Sequence, residues 1–157
     1  MKPRVYLETT VPSYLTAWPS KELVMAGHQQ VTREWWELRR QDFDVFVSQF
    51  VIDEASAGDP DAARRRLEVL SDLPLLDPSD DVQPLADELM KGVPLPAKAV
   101  ADSLHIAIAT VNGMQYLLTW NCAHIANAEL RVNIEAVCRK FGYQPPVICT
   151  PEELLKE

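Results

Sequence analysis

The chain has 157 residues, 47% of them hydrophobic and 24% charged, with a formal net charge of −8. That length suits one domain, which buries roughly 70% of its unfolded surface and so needs no disulfide or structural metal to hold a core. The acidic balance excludes broad, non-specific binding of a polyanion over the whole surface, because phosphates are met by Lys and Arg. Locally grouped basic residues remain compatible with nucleic acid, and the sign also suits a basic or apolar protein segment as partner.

Cys122, Cys138 and Cys149 are widely spaced and odd in number, without the paired spacing of a metal site, and read as free thiols of a reducing compartment. The opening stretch M-K-P-R-V-Y-L-E-T-T lacks the apolar run of a signal peptide, and no run approaches the length of a membrane span. A cytoplasmic protein is expected. Prolines outnumber glycines twelve to five, which favours short, stiff connections.

In chain order, Val5-Tyr6-Leu7 reads as a buried opening strand. Thr9-Thr10-Val11-Pro12 follows as a helix start. Ser20 is placed to cap a second helix, whose inner face is predicted from the helical spacing of Leu23, Gly27, Val31, Trp35 and Leu38. Val45-Phe46-Val47 is a second strand, passing at Ser48 into a short helix that holds Glu54 and ends near Gly58. Asp59-Pro60 is an N-cap with a first-turn proline, opening a helix to about Asp72. Leu73-Pro74-Leu75-Leu76 is a brief strand that its proline demotes to a sheet edge. Pro78-Ser79-Asp80-Asp81 opens a further helix, which Pro94 and Pro96 break. The next helix is expected from Ala97 to Asn112, with Gly113 closing it. Gln115 to Trp120 is the strongest strand. A helix follows from Asn127 or Ala128 to Gly142, then a strand at Pro146-Val147-Ile148-Cys149 and a capped turn at Thr150-Pro151-Glu152-Glu153.

Strands alternating with helices predict a mostly parallel sheet with helices on both faces. Ligands of such sheets bind beyond the carboxyl ends of the strands. Glu8 and Asn121 lie just past strand ends, and Glu54 follows the second strand by one to two helical turns. Asp102 interrupts a helix that is apolar nearly all round, and a buried carboxylate is costly unless a partner or a metal compensates it. The alternatives for these residues are ordinary. Asp102 is one turn from Lys98, Glu8 is placed to cap the following helix, Glu54 has Asp53 beside it, and Asn121 suits a turn. His105 reads as a packing residue of its helix, and spacing gives His28 and His124 no partner. Trp35-Trp36 reads as core or oligomer interface before base stacking, and Arg64-Arg65-Arg66 as a solvated helix face.

Four segments together resemble the PIN-domain family, which includes the VapC-type toxins of type II toxin–antitoxin pairs. Y-L-E-T-T-V-P-S-Y-L resembles the family's opening strand, and V-I-D-E-A-S its second acidic element, with Glu54 at the matching place. A-D-S-L-H-I-A-I-A resembles its Asp-led small-residue helix, and L-L-T-W-N the strand that usually ends Thr-x-Asp. Glu8 and Asn121 each stand where the family usually has Asp. The resemblance implies a single PIN-like domain over residues 1–157, of three-layer α/β/α architecture with a mostly parallel central sheet. It implies a Mg²⁺- or Mn²⁺-dependent endoribonuclease with catalytic positions at Glu8, Glu54, Asp102 and Asn121, and Glu8, Asp102 and Glu54 as metal ligands. It also implies an RNA substrate, a cognate antitoxin, no membrane, and a homodimer built on apolar helical faces.

The chemistry agrees with that expectation. Mg²⁺ takes oxygen ligands and keeps several waters, so one to three carboxylates suffice, and without a cation converging carboxylates raise one another's pKa. A bound ion would polarise a phosphate oxygen and activate water for in-line attack. Thr9 and Thr119 are the expected supporting hydroxyls, with Ser103 ranked after them. The neutral Asn121 implies a weaker metal site than four carboxylates would make. The alternative is a PIN-like RNA- or protein-binding module with weak or no catalytic activity. A small-molecule enzyme on a flavodoxin-like sheet lacks the glycine-rich phosphate loop it would need.

Overall fold

The computed structural model describes residues 1–156. Four short strands, β1 (Arg4–Leu7), β2 (Asp44–Phe46), β3 (Tyr116–Leu118) and β4 (Val147–Cys149), form one sheet in the order β2-β1-β3-β4. Every pairing is parallel, with Tyr6 opposite Phe46, Leu7 opposite Leu118, and Leu118 opposite Cys149. A parallel sheet is buried on both faces, so its strands read as continuous apolar runs rather than alternating ones. Val5, Tyr6, Leu7, Leu117 and Leu118 are all fully buried accordingly.

Seven α-helices connect the strands: α1 (Thr10–Thr16), α2 (Leu23–Leu38), α3 (Gln49–Ala55), α4 (Pro60–Leu70), α5 (Val82–Gly92), α6 (Val100–Val111) and α7 (Ala128–Lys140). The chain leaves β1 for β2 on one side, then steps back across β1 to β3 and onward to β4. Right-handed crossovers therefore put α1 and α2 on one face and the later helices on the other. In the packing, α1 lies on α2 and α5 lies against both α6 and α7, while α4 reaches back to α1, where Arg65 meets the Thr16 carbonyl. The reversal of direction makes the carboxyl ends of β1 and β3 a topological switch point, the place where open α/β sheets bind their ligands.

Local signals set most boundaries. Asp59 accepts from the Ala62 amide and Pro60 fills the first helical position of α4. Gly113 closes α6 with φ of 68°, a left-handed conformation that favours glycine. Pro94 and Pro96 end α5, and the expected start at Ala97 is a 3₁₀ turn (Ala97–Ala99) leading into α6. Leu73 to Leu76 forms no strand. It makes one parallel bridge, Val47 to Leu75, on the outer side of β2, because Pro74 brings no amide hydrogen to a ladder.

The predicted inner face of α2 is corrected. Leu23 and Leu38 are 79% and 73% exposed, and Gly27 is exposed, whereas Gln29, Thr32 and Trp35 are buried. Polar side chains can face inward here because they are satisfied. Gln29 receives the Ser20 amide and donates to the Trp18 carbonyl, and Thr32 accepts Nε1 of Trp120 while donating to the His28 carbonyl. Ser20 does not cap α2; its hydroxyl accepts the Glu22 amide one turn before the helix begins. Among the described residues no helix is long and apolar enough to cross a membrane.

Candidate functional site

Glu8 follows directly on the end of β1, at the switch point. Its amide is still held by the Leu118 carbonyl of β3, which fixes the residue between the two central strands. The side chain is only 5% exposed and does not cap α1. Its Oε1 accepts two hydroxyls, Thr10 at 2.5 Å and Thr119 at 2.6 Å. Thr119 sits just beyond β3 and also accepts the Asn121 amide.

Glu54 comes from α3, whose N-terminus is capped by Ser48. Helical spacing turns Asp53 outward, where it accepts from Gln49, and turns Glu54 inward. Oε1 of Glu54 accepts the Thr9 hydroxyl at 2.5 Å and meets Nε2 of His105 at 2.6 Å. Partial burial pushes this carboxyl up, yet the hydrogen bonds from His105 and Thr9 outweigh it and hold the group below the usual carboxylate range. The donor atoms of Glu8, Glu54 and His105 lie within 4.8 Å of one another.

The two glutamates share a pattern. Each anchors Oε1 with two protein donors, and among the described residues no donor meets either Oε2. A carboxylate ionised beside another carboxylate, with one oxygen held and the other free of protein donors, suits a hard divalent cation, which takes oxygen ligands and completes its shell with water. The donor set therefore fits Mg²⁺ or Mn²⁺. The expected supporting residues Thr9 and Thr119 direct their hydroxyl hydrogens to these carboxylates.

Asp102 stands in the first turn of α6, with its side chain 18% exposed. Its compensation comes from protein. Oδ1 accepts the Asn121 amide nitrogen at 2.8 Å, and Oδ2 meets Nδ1 of His124 at 2.9 Å. Asn121 in turn accepts the His124 backbone amide. Lys98 takes no part in this arrangement. Asp102 lies outside the tight group of donor atoms, but it joins the same network through Asn121 and Thr119 to Glu8. Each of its oxygens keeps a second lone pair for a further donor or cation. Ser103 is fully buried and turned back onto the Val100 carbonyl.

Sequence reasoning missed the two histidines. His105 is 1% exposed, as a packing residue would be, but it bridges Glu54 and the Tyr6 hydroxyl. His124 pairs with Asp102. The available signals were weak: a polar ring one helical turn after Asp102, and another three residues after Asn121. His28 stacks on Trp120 with ring centroids 4.1 Å apart, beside Tyr14. Trp35 is fully buried against Phe43 and belongs to the core, and Trp36 is half-buried beneath the Arg40 guanidinium. The arginine run is not one solvated face. Arg64 pairs with Asp61 and Glu68 in solvent, but Arg65 reaches the Thr16 carbonyl and Arg66 the carbonyls of Ala55 and Ala57.

No family model matches the sequence, and no curated protein is similar to it in sequence. Among solved structures, the chain is similar to one from the crystal structure of VapBC2 from Rickettsia felis bound to a DNA fragment from their promoter. The TM-score is 0.57 at 16% identity, over 94% of this chain and 98% of that one. The likeness is one of fold: the PIN-like α/β arrangement expected from the four motifs is the arrangement observed.

Proposed function

We propose that the chain is a single PIN-like domain acting as a metal-dependent endoribonuclease, the toxin of a type II toxin–antitoxin pair, in the cytoplasm. One observation carries the reading. Glu8 and Glu54 arrive from separate elements at the switch point of a parallel sheet, each with one oxygen anchored and, among the described residues, no protein donor on the other.

Mg²⁺ or Mn²⁺, when bound, would neutralise charge on a phosphate oxygen and make water a competent nucleophile. The chain's own residues do the rest. Glu8 and Glu54 hold the cation, and Asp102 adds the third negative charge beside them. Thr9, Thr10 and Thr119 keep the two glutamates in place without neutralising them. Asn121 keeps Asp102 oriented and removes the repulsion that a fourth carboxylate would bring. The acidic site selects a phosphodiester only through its cation, in agreement with a chain whose overall charge repels nucleic acid.

An antitoxin or a second copy of the chain would cover the apolar surface formed by Trp18, Leu23 and Val24, which are 74%, 79% and 65% exposed. The VapBC2 structure is named as a complex and supports a protein partner of this kind.

A second reading, a PIN-like RNA- or protein-binding module without efficient turnover, is favoured by the Asp102, Asn121 and His124 group, whose protein hydrogen bonds already occupy both Asp102 oxygens. One assay separates them. Purified protein and Asp102→Asn are incubated with mixed RNAs, with Mn²⁺ or Mg²⁺ and then with chelator. Metal-dependent cleavage that the substitution abolishes supports the nuclease. RNA retained uncut by the wild-type protein supports the binding module, and equal cleavage by both proteins identifies a contaminant.

A further inference from the structure

His105 is close enough to Glu8 and Glu54 to be counted as a third ligand. Its hydrogen bonds argue otherwise. A carboxylate carries no hydrogen, so the 2.6 Å contact between His105 Nε2 and Glu54 Oε1 requires the hydrogen to sit on Nε2. Nδ1 lies 2.8 Å from the Tyr6 hydroxyl, and that hydroxyl lies 2.8 Å from Ser48 Oγ. With Ser48 donating to Tyr6 and Tyr6 donating to Nδ1, every polar atom in the line is satisfied. Ser48 Oγ meanwhile accepts the Val51 amide as the cap of α3.

The line closes on itself. Ser48 and Glu54 belong to the same turn-and-helix of α3, Tyr6 to β1 and His105 to α6, so three elements clamp one carboxylate. The imidazole cannot swing to solvent. It is 1% exposed, with the Phe50 ring centroid 4.8 Å away on one side and Tyr6 on the other.

We propose that His105 is a positioning residue and not a metal ligand: backed by Tyr6 and Ser48, it holds Glu54 Oε1 so that Oε2 alone faces the cation. This rests on the cation reading given above. A histidine so arranged orients the ligand and raises nothing of its own toward the metal.

The test is Mn²⁺ binding by calorimetry, together with electron spin-echo modulation of the Mn²⁺-loaded wild-type protein. A directly bound imidazole nitrogen gives ¹⁴N modulation; the wild-type protein is expected to show none from a bound imidazole. His105→Leu is expected to weaken Mn²⁺ binding by roughly 10–100-fold, the usual effect of removing a partner of a ligating carboxylate. His105→Gln, which can place an amide N–H near the position of Nε2, recovers most of that loss, and His105→Asn, whose amide is too short, does not. Tyr6→Phe keeps the ring and weakens binding by a smaller factor. Circular dichroism and melting of each variant without metal report folding. If His105→Leu fails to fold, Tyr6→Phe and the wild-type spectrum decide. Nitrogen coupling from a bound imidazole overturns the proposal, as does His105→Leu binding Mn²⁺ like wild type or His105→Gln behaving like Leu. A wild-type protein that binds no Mn²⁺ overturns the cation reading itself, and this inference with it.

Discussion

Asn121→Asp restores the residue that the resembling family usually carries and turns the Asp102 pair from attraction to repulsion. In the present chain the Asn121 amide donates to Asp102 Oδ1 at 2.8 Å. Losing a hydrogen bond to a charged group costs about 1.5–3 kcal/mol. Two like charges near 3 Å add an upper bound of about 5 kcal/mol at an effective dielectric near 20. The Asp102 side chain is 18% exposed, so solvent screening and a rotation of either carboxylate remove most of that second contribution. A total near 3 kcal/mol remains, which lowers Tm by roughly 6–12 °C for a chain of this size. A divalent cation held by Glu8 and Glu54 would reverse the sign, because the added carboxylate would then face a positive charge. At about 100 times Kd the cation stabilises a folded protein by about 2.7 kcal/mol. The assay is thermal unfolding of both proteins by circular dichroism, in chelator and in Mn²⁺. The variant should melt lower in chelator and gain more from Mn²⁺ than the wild type. Equal melting in chelator, or equal gains from Mn²⁺, would refute the account of Asn121 as a neutral stand-in beside Asp102.

Three further outcomes are expected. Burial pushes the Cys149 thiol up to about 12 and the buried Cys138 thiol up as well, whereas Cys122 is exposed, though partial burial raises it too. Alkylation of the folded protein near pH 8 should therefore mark Cys122 alone by mass spectrometry, and labelled Cys149 would contradict the packing of β4. Glu54 has a folded pKa below its unfolded value, so its stabilising contribution is full above the unfolded carboxylate range and is lost as pH falls through the folded pKa. Without metal, the stability gap between wild type and Glu54→Gln in urea unfolding should be widest at neutral pH and close in strong acid; a gap that widens in acid would reverse the assignment. At the contact of α5 with α7, a Cβ added at Gly92 would lie 2.6 Å from Val137 Cγ2. Gly92→Ala should destabilise by about 1–3 kcal/mol through overpacking, less up to about 1 kcal/mol of helix propensity. Val137→Ala in the same chain should relieve it, and additive effects in denaturant titrations would deny the clash.

The strands were legible because a parallel sheet buries both faces, so Val5-Tyr6-Leu7 and the Tyr116–Leu118 run announce themselves as unbroken apolar segments. Helix ends were legible where chemistry is local, at Asp59-Pro60, Asn127 and Gly113. The inner face of α2 was not. Its buried Thr32 is paid off by Trp120, 88 residues away, and no periodicity within α2 encodes that partner. The acidic positions were marked by their places past strand ends and within an apolar helix. What each carboxylate meets was hidden, because His105 finds Glu54 51 residues away and His124 finds Asp102 22 residues away. Asp102 is half-buried and both its oxygens are met. The compensation present in the structure is Asn121 and His124, which single-residue burial logic had no means of choosing over a metal.

The most direct test is anomalous diffraction from crystals soaked in Mn²⁺. A peak is expected within about 2.0–2.6 Å of an oxygen of both Glu8 and Glu54, the range for hard divalent ions. Soaked crystals with no peak there, or with Mn²⁺ bound elsewhere and these two carboxylates unliganded, would contradict the claim that the switch point of this sheet is a cation site.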